Sequence, residues 1–149
     1  MISYISQNLR NLVALRASYL CEYCLIHEND TFLKCQVDHI ISLKHGGETE
    51  LENLAYACAF CNRHKGSDIG SIHRSTGEFV RFFNPRIDLW ANHFRLIGTI
   101  IKPLSKIGEV TAEIIDFNHP DRVFERKSFI EMGRFPSDAA FKIMNKISF

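Results

Sequence analysis

Between residues 21 and 66 the chain reads CEYC (21–24), VDHIISLKHGG (37–47) and LENLAYACAFCNRHKG (51–66). Two Cys-x-x-Cys pairs, Cys21/Cys24 and Cys58/Cys61, bracket an Asp38-His39 step and Asn53, and Asn62 follows directly on the last cysteine. A two-residue gap lets both sulfurs of one knuckle face a single tetrahedral ion, so the four thiols have the pattern of a structural Zn²⁺ site. The 33 residues between the pairs exceed the usual zinc-ribbon interval, which implies a hairpin inserted between the two halves and held by the metal. Two other readings stay open for the cysteines: four reduced structural thiols, or a Cys-x-x-Cys redox pair. The redox motif goes with a βαβ pattern that this stretch lacks. Cys35 stands apart and reads as a small buried hydrophobe.

Working outward, Ile5, Leu9, Leu12, Val13 and Leu20 recur near helical spacing behind a capping Ser6, so an amphipathic helix over 5–20 leads into Cys21. KCQVDHIISL reads as two short strands turning near Asp38, and Gly46-Gly47 breaks the segment. LENLAYACAF reads as one helical turn and then a strand or knuckle, and a short helix starts at the last cysteine pair. Beyond it, FVRFF (79–83) is a strand that Pro85 must stop, and Trp90, His93 and Phe94 form a short amphipathic piece. Ser105 caps a helix with Ile107, Val110, Ile114 and Phe117 on one stripe, and His119-Pro120 separates it from a helix through Phe129. A last helix from Ser137 carries Ala140, Phe141, Met144 and Ile147.

At 149 residues and 46% hydrophobic composition the chain suits one domain with its own core, with a centre at 18–70 and a C-terminal extension at 71–149 packing on or beside it. No apolar run approaches the roughly 18 residues of a membrane span, and MISYISQNLR lacks the regions of a signal peptide, so the expected setting is soluble and cytoplasmic. Net charge is only +1, which argues for no partner by itself. Its distribution is uneven: residues 61–100 carry six Lys and Arg against three Asp and Glu. Arg63, Lys65, Arg74, Arg81 and Arg86 read either as a phosphate-facing surface or as a solvated face, and charge alone favours the solvated face.

Asp38-His39-Ile40, Asn53-Leu54 and Cys58-x-x-Cys61-Asn62-x-x-Lys65-Gly66 resemble, in order, the motif of the HNH endonuclease family in its four-cysteine, zinc-bearing form. TGEFVRFFNPRIDLWANHF (76–94) is more loosely similar to a block that follows the motif in small stand-alone bacterial HNH proteins. The resemblance implies an α+β fold with a ββα-metal core, here stapled by the cysteines and flanked by an N-terminal helix and a strand-plus-helices extension. It implies His39 as general base, Asp38 and Asn62 as ligands of a catalytic divalent ion, and Asn53 pinning the loop beside the base. The implied activity is metal-dependent hydrolysis of DNA, one strand per site. The alternative is a zinc module of the same fold that binds nucleic acid without cutting it.

The residue chemistry agrees with this. Phosphodiester hydrolysis needs an activated water and compensation for charge growing on phosphate oxygens. Neutral imidazole at His39 can take a proton near working pH. Asp38 and Asn62 offer hard oxygen ligands of the type preferred by Mg²⁺ or Mn²⁺. Many members of the family have His where this chain has Asn62, and an amide oxygen tilts selectivity further toward those ions. Arg63 and Lys65 are candidates for charge compensation at phosphate, and His64, two residues past Asn62 and on another helix face, for a phosphate contact. For His27, His45, His73, His93 and His119 the default is an ordinary surface or core position.

Overall fold

A computed structural model describes residues 4–146. The chain divides into two compact units, Met1–Ile69 and Gly70–Phe149. Among the described residues no helix is long and apolar enough to cross a membrane.

In the first unit, helix α1 (Gln7–Arg16) starts where Ser6 Oγ accepts from the Leu9 N–H at 3.1 Å. Its inward face is Val13 and Ala14, with Ile5 and Ala17 buried beyond its two ends. Leu12, expected on that stripe, is instead 43% exposed. Arg16, at the helix C-terminus, donates to the carbonyls of Leu51 (2.9 Å) and Leu54 (2.6 Å) and ties α1 to the turn before the second strand. Strand β1 (Gln36–His39) pairs antiparallel with β2 (Leu54–Ala57), Asp38 opposite Ala55 and His39 opposite Leu54. The expected pair of strands turning near Asp38 is thus a single strand whose partner lies fifteen residues on. Ile40–Gly47 cannot extend the pairing because it folds into a 3₁₀ turn (Leu43–His45) closed by Gly46 at φ +85°. A second 3₁₀ turn, Leu51–Asn53, leads into β2, and α2 (Ala59–Lys65) follows from Cys58. The order β1-β2-α2 is the ββα core, and with its helices and small antiparallel sheets the chain is α+β.

The second unit opens with a hairpin of β3 (Gly70–Ile72) and β4 (Phe79–Arg81), shorter than the expected 79–83 strand. Helix α3 (Trp90–His93) runs into a hairpin of β5 (Phe94–Ile97) and β6 (Ile100–Pro103), turned at Gly98 (φ +61°). Helices α4 (Lys106–Ile114), α5 (Pro120–Glu131) and α6 (Asp138–Met144) follow; Ser105 caps α4 and α6 starts at Ser137 as the sequence suggests, and His119, expected only to separate two helices, also caps α5. Ile147, expected on the last stripe, lies outside the described residues. Phe94 is the hub of the core, with ring centroids 5.2 Å from Trp90 and 5.4 Å from both Phe83 and Phe117. Gly108 is required where α4 meets α3, because a Cβ there would lie 2.2 Å from the His93 carbonyl oxygen. Arg126 is fully buried and donates to the carbonyls of Phe117 (2.7 Å) and Thr99.

Candidate metal centre and hydrolytic site

Each cysteine pair sits on a tight turn whose backbone supports its sulfurs. In the first knuckle Leu25 takes φ +67°, its N–H bonding the Cys21 carbonyl at 2.8 Å, and the Cys24 N–H points at Cys21 Sγ (3.5 Å). In the second, Cys58 caps α2, its sulfur accepting from the Cys61 N–H at 3.4 Å. Glu22 clips the knuckles together: its N–H donates to the Tyr56 carbonyl and its carboxylate accepts from the Tyr56 N–H, both at 2.8 Å on β2. The four sulfurs, all buried, come within 4.8 Å of one another. A tetrahedral ion with metal–sulfur bonds of about 2.3 Å requires sulfurs about 3.8 Å apart, and Cys24 and Cys58 are separated by 3.8 Å. Burial pushes the Cys21 and Cys61 thiols well above their ordinary pKa. A bound divalent cation reverses that preference, so the donor set suits a soft tetrahedral ion. Cys35 is buried and outside the cluster.

In the same segment β1 carries Asp38 and His39 to the rim of a cleft of about 310 Å³, lined by Val37, Asp38, His39, Ser42, Leu43, Lys44, Asn62, Gly66 and Ser67. Asp38, His39 and Asn62 therefore meet at one place, although they come from a strand and a helix. His39 Nε2 lies 2.8 Å from Thr49 Oγ1. Partial burial, helped by the Lys65 cation and opposed by Asp38, lowers the His39 pKa and favours the neutral ring. Asn53 stands behind the cleft and holds its wall. Its Oδ1 accepts from the Ile41 N–H, and its Nδ2 donates to the carbonyls of Ile41 and Glu48, all at 2.9 Å. Gly47 permits this closure, since a Cβ there would fall 1.7 Å from the Ile41 oxygen.

The structure alters the expectations for Lys65 and His64. Lys65 does not face a phosphate: it is 1% exposed, with Nζ 3.2 Å from both Asp38 oxygens and 3.0 Å from the His39 carbonyl oxygen. Asp38 is itself 4% exposed and accepts from the Tyr23 hydroxyl at 2.8 Å, so it is held from behind by two partners. Burial pushes its carboxyl above the ordinary value, against the opposing pull of Lys65 and then of Tyr23. His64 is turned back on its own helix, its Nδ1 2.9 Å from the Phe60 carbonyl oxygen and its ring stacked on Phe60 at 4.0 Å, which removes it from the cleft. Arg63 is exposed. In the second unit Arg74 pairs with Glu113 and Arg81 with Asp88, so those two cations belong to local ion pairs rather than to a bare phosphate-facing surface.

Four residues of the site have no signal in the motif: Tyr23, Thr49, Lys44 on the cleft wall, and Gln36, whose Oε1 accepts from Asn62 Nδ2 at 2.5 Å. All four become parts of the site only through folding. With that geometry in view, the model of the HNH endonuclease family matches residues 21–68. This segment has the sequence pattern of an HNH endonuclease domain. No curated protein and no solved structure matches the chain. The matched range holds both cysteine knuckles, the whole cleft and the Asn53 clamp, so every part of the site described above lies inside the HNH domain. The four-cysteine group accords with the zinc-bearing form of the domain.

Proposed function

We propose that the chain is a metal-dependent DNA endonuclease that hydrolyses one phosphodiester strand per active site, with structural zinc on Cys21, Cys24, Cys58 and Cys61. The observation that carries this reading is the convergence of Asp38, His39 and Asn62 on one cleft, in the same segment that groups the four cysteines. His39 is the general base. In the tautomer whose Nε2–H donates to Thr49, the Nδ1 lone pair is left to take a proton from the attacking water. The lowered pKa keeps that lone pair available at neutral pH. Asn53 fixes the loop after His39, so the ring and the wall of the cleft keep one arrangement. Asp38 and Asn62 would hold the catalytic divalent ion. One carboxylate and one amide form a sparse oxygen set, of the kind Mg²⁺ or Mn²⁺ completes with water and substrate phosphate. That ion, when bound, compensates the charge growing on the phosphate and on the departing oxygen. Lys44, on the cleft wall, and the exposed Arg63 would meet backbone phosphates.

Nicking of supercoiled plasmid in Mg²⁺ or Mn²⁺ by the wild-type chain and by His39→Ala tests the assignment. Loss of the base should cost about 10²- to 10⁴-fold in rate, with zinc content unchanged. Equal nicking by the mutant would remove His39 from its role. Absence of nicking by the wild type across metals and DNA forms would favour a binding module of the same fold.

A further inference from the structure

The inner dipeptide of the first knuckle reaches in two directions. Glu22 grips β2, whereas Tyr23, fully buried, sends its hydroxyl to Asp38 Oδ2 at 2.8 Å. From the opposite side Lys65, the last residue of α2, brings Nζ to 3.2 Å from Oδ1 and Oδ2 of Asp38 and donates to the His39 carbonyl oxygen at 3.0 Å. A knuckle, a strand and a helix thus meet at one carboxylate.

We propose that Tyr23 and Lys65 are positioning residues that hold the Asp38 carboxylate in the single orientation the cleft uses, Tyr23 doing so from inside the zinc knuckle. The proposal rests on the nuclease reading above and deepens it. Stability is a poor reason for such a trio. Burying a carboxylate and an ammonium forfeits hydration that their attraction roughly offsets, and apolar residues of similar volume would hold the fold as well. Geometry is a better one. A carboxylate offers about four acceptor positions. Tyr23 occupies one and Lys65 lies across both oxygens, so the carboxylate can neither rotate nor withdraw, while Asp38 still lines the cleft beside Asn62. Lys65 also anchors the carbonyl of the base itself, so one ammonium sets the relative placement of Asp38 and His39. Partners of this kind, one shell behind a metal-binding group, typically alter metal affinity or activity by about 10- to 100-fold.

The test uses the zinc-loaded full chain. Tyr23→Phe removes one oxygen and keeps the ring, whereas Lys65→Met risks leaving Asp38 buried without a counter-charge and failing to fold. Mn²⁺ binding is followed by the loss of the free-ion electron paramagnetic resonance signal, without nucleic acid; kcat and KM for plasmid nicking are measured separately. Tyr23→Phe should retain one zinc per chain and the wild-type circular dichroism spectrum, weaken Mn²⁺ binding about 10-fold or more, and lower kcat while leaving KM for DNA unchanged. Glu22→Gln, in the same knuckle but directed at β2, should leave Mn²⁺ affinity unchanged. Wild-type Mn²⁺ affinity in Tyr23→Phe, with the wild type active, would overturn the positioning role and leave the nuclease reading standing. An equal loss in Glu22→Gln would assign the effect to a loosened knuckle and likewise overturn it. A wild type that neither binds Mn²⁺ nor nicks would overturn the nuclease reading, and this proposal with it.

Discussion

Replacing Asn53 with alanine isolates the clamp that shapes the wall of the cleft. Three side-chain hydrogen bonds disappear, to the Ile41 N–H, the Ile41 carbonyl and the Glu48 carbonyl, each 2.9 Å in the wild type. Each contributes about 1 kcal/mol net. Ile41 is 38% exposed and Glu48 is exposed, so water can satisfy the freed groups and no full desolvation penalty is added. The expected loss is about 2–3 kcal/mol of stability in the HNH domain. The β1–β2 pairing and the Ile40 N–H bond to the Asn53 carbonyl (2.9 Å) involve only backbone and survive, so the damage centres on residues 41–48. Thr49 lies at the end of that segment, and its displacement frees the His39 ring, so nicking should fall about 10-fold or more although the base is intact. Asn53→Asp is the stricter variant. It keeps the acceptor for Ile41 but sets a second oxygen against two carbonyls, and should be at least as unstable as the alanine variant. Urea denaturation gives the free energies, and hydrogen exchange at the Ile41 amide, compared with Asp38 in β1, gives the location. A change below about 0.5 kcal/mol with unaltered exchange at Ile41, or an aspartate variant more stable than the alanine one, would refute the clamp.

Two further outcomes are expected. Cys58→Ser, or a strong chelator, should unfold the HNH domain rather than merely slow it, because structural zinc contributes about 10–16 kcal/mol in small zinc modules, as much as the whole stability of a typical domain; zinc content by elemental analysis and circular dichroism check this, and a folded, active mutant would contradict it. Asp88→Asn should destabilise the second unit at neutral pH. Burial opposes ionisation of Asp88, but the two-pronged bond from Arg81 (2.8 and 3.0 Å) and the Asn84 N–H prevail and lower its pKa. A depressed carboxylate stabilises above the unfolded value of about 3.9 and loses that contribution as pH falls through the folded one. The gap between wild type and Asp88→Asn in thermal melts should therefore be full near neutrality and close at acid pH, and a gap that widens toward acid would contradict the assignment.

Much of the first unit was legible in the chain. The two-residue gaps of the knuckles, the Ser6 cap and the short helix after Cys58 follow from local rules, because each depends on residues within one turn of each other. The second unit was less legible where its elements are held by distant partners. The β5–β6 hairpin has apolar residues on both sides of Gly98-Thr99 but only a two-residue turn to announce it, and its backbone is clamped by Asn118, 17 residues past Ile101 (both bonds 2.9 Å). Helix α5 buries Arg122 and Arg126, which no hydrophobic stripe would suggest.

The candidate site divides the same way. Residue type and order alone determined the HNH motif and the two cysteine pairs, and singled out His39 as the candidate base, because residue identity and spacing are properties of a short segment. Only the tertiary structure decided that Lys65 turns inward to Asp38, that His64 stacks on Phe60, and that Tyr23 and Thr49 complete the site. The physical reason is that a lysine on a short helix has the same local chemistry whether it faces solvent or core. Its direction is set by which face of α2 lies on β1 and by a buried carboxylate that requires a counter-charge there.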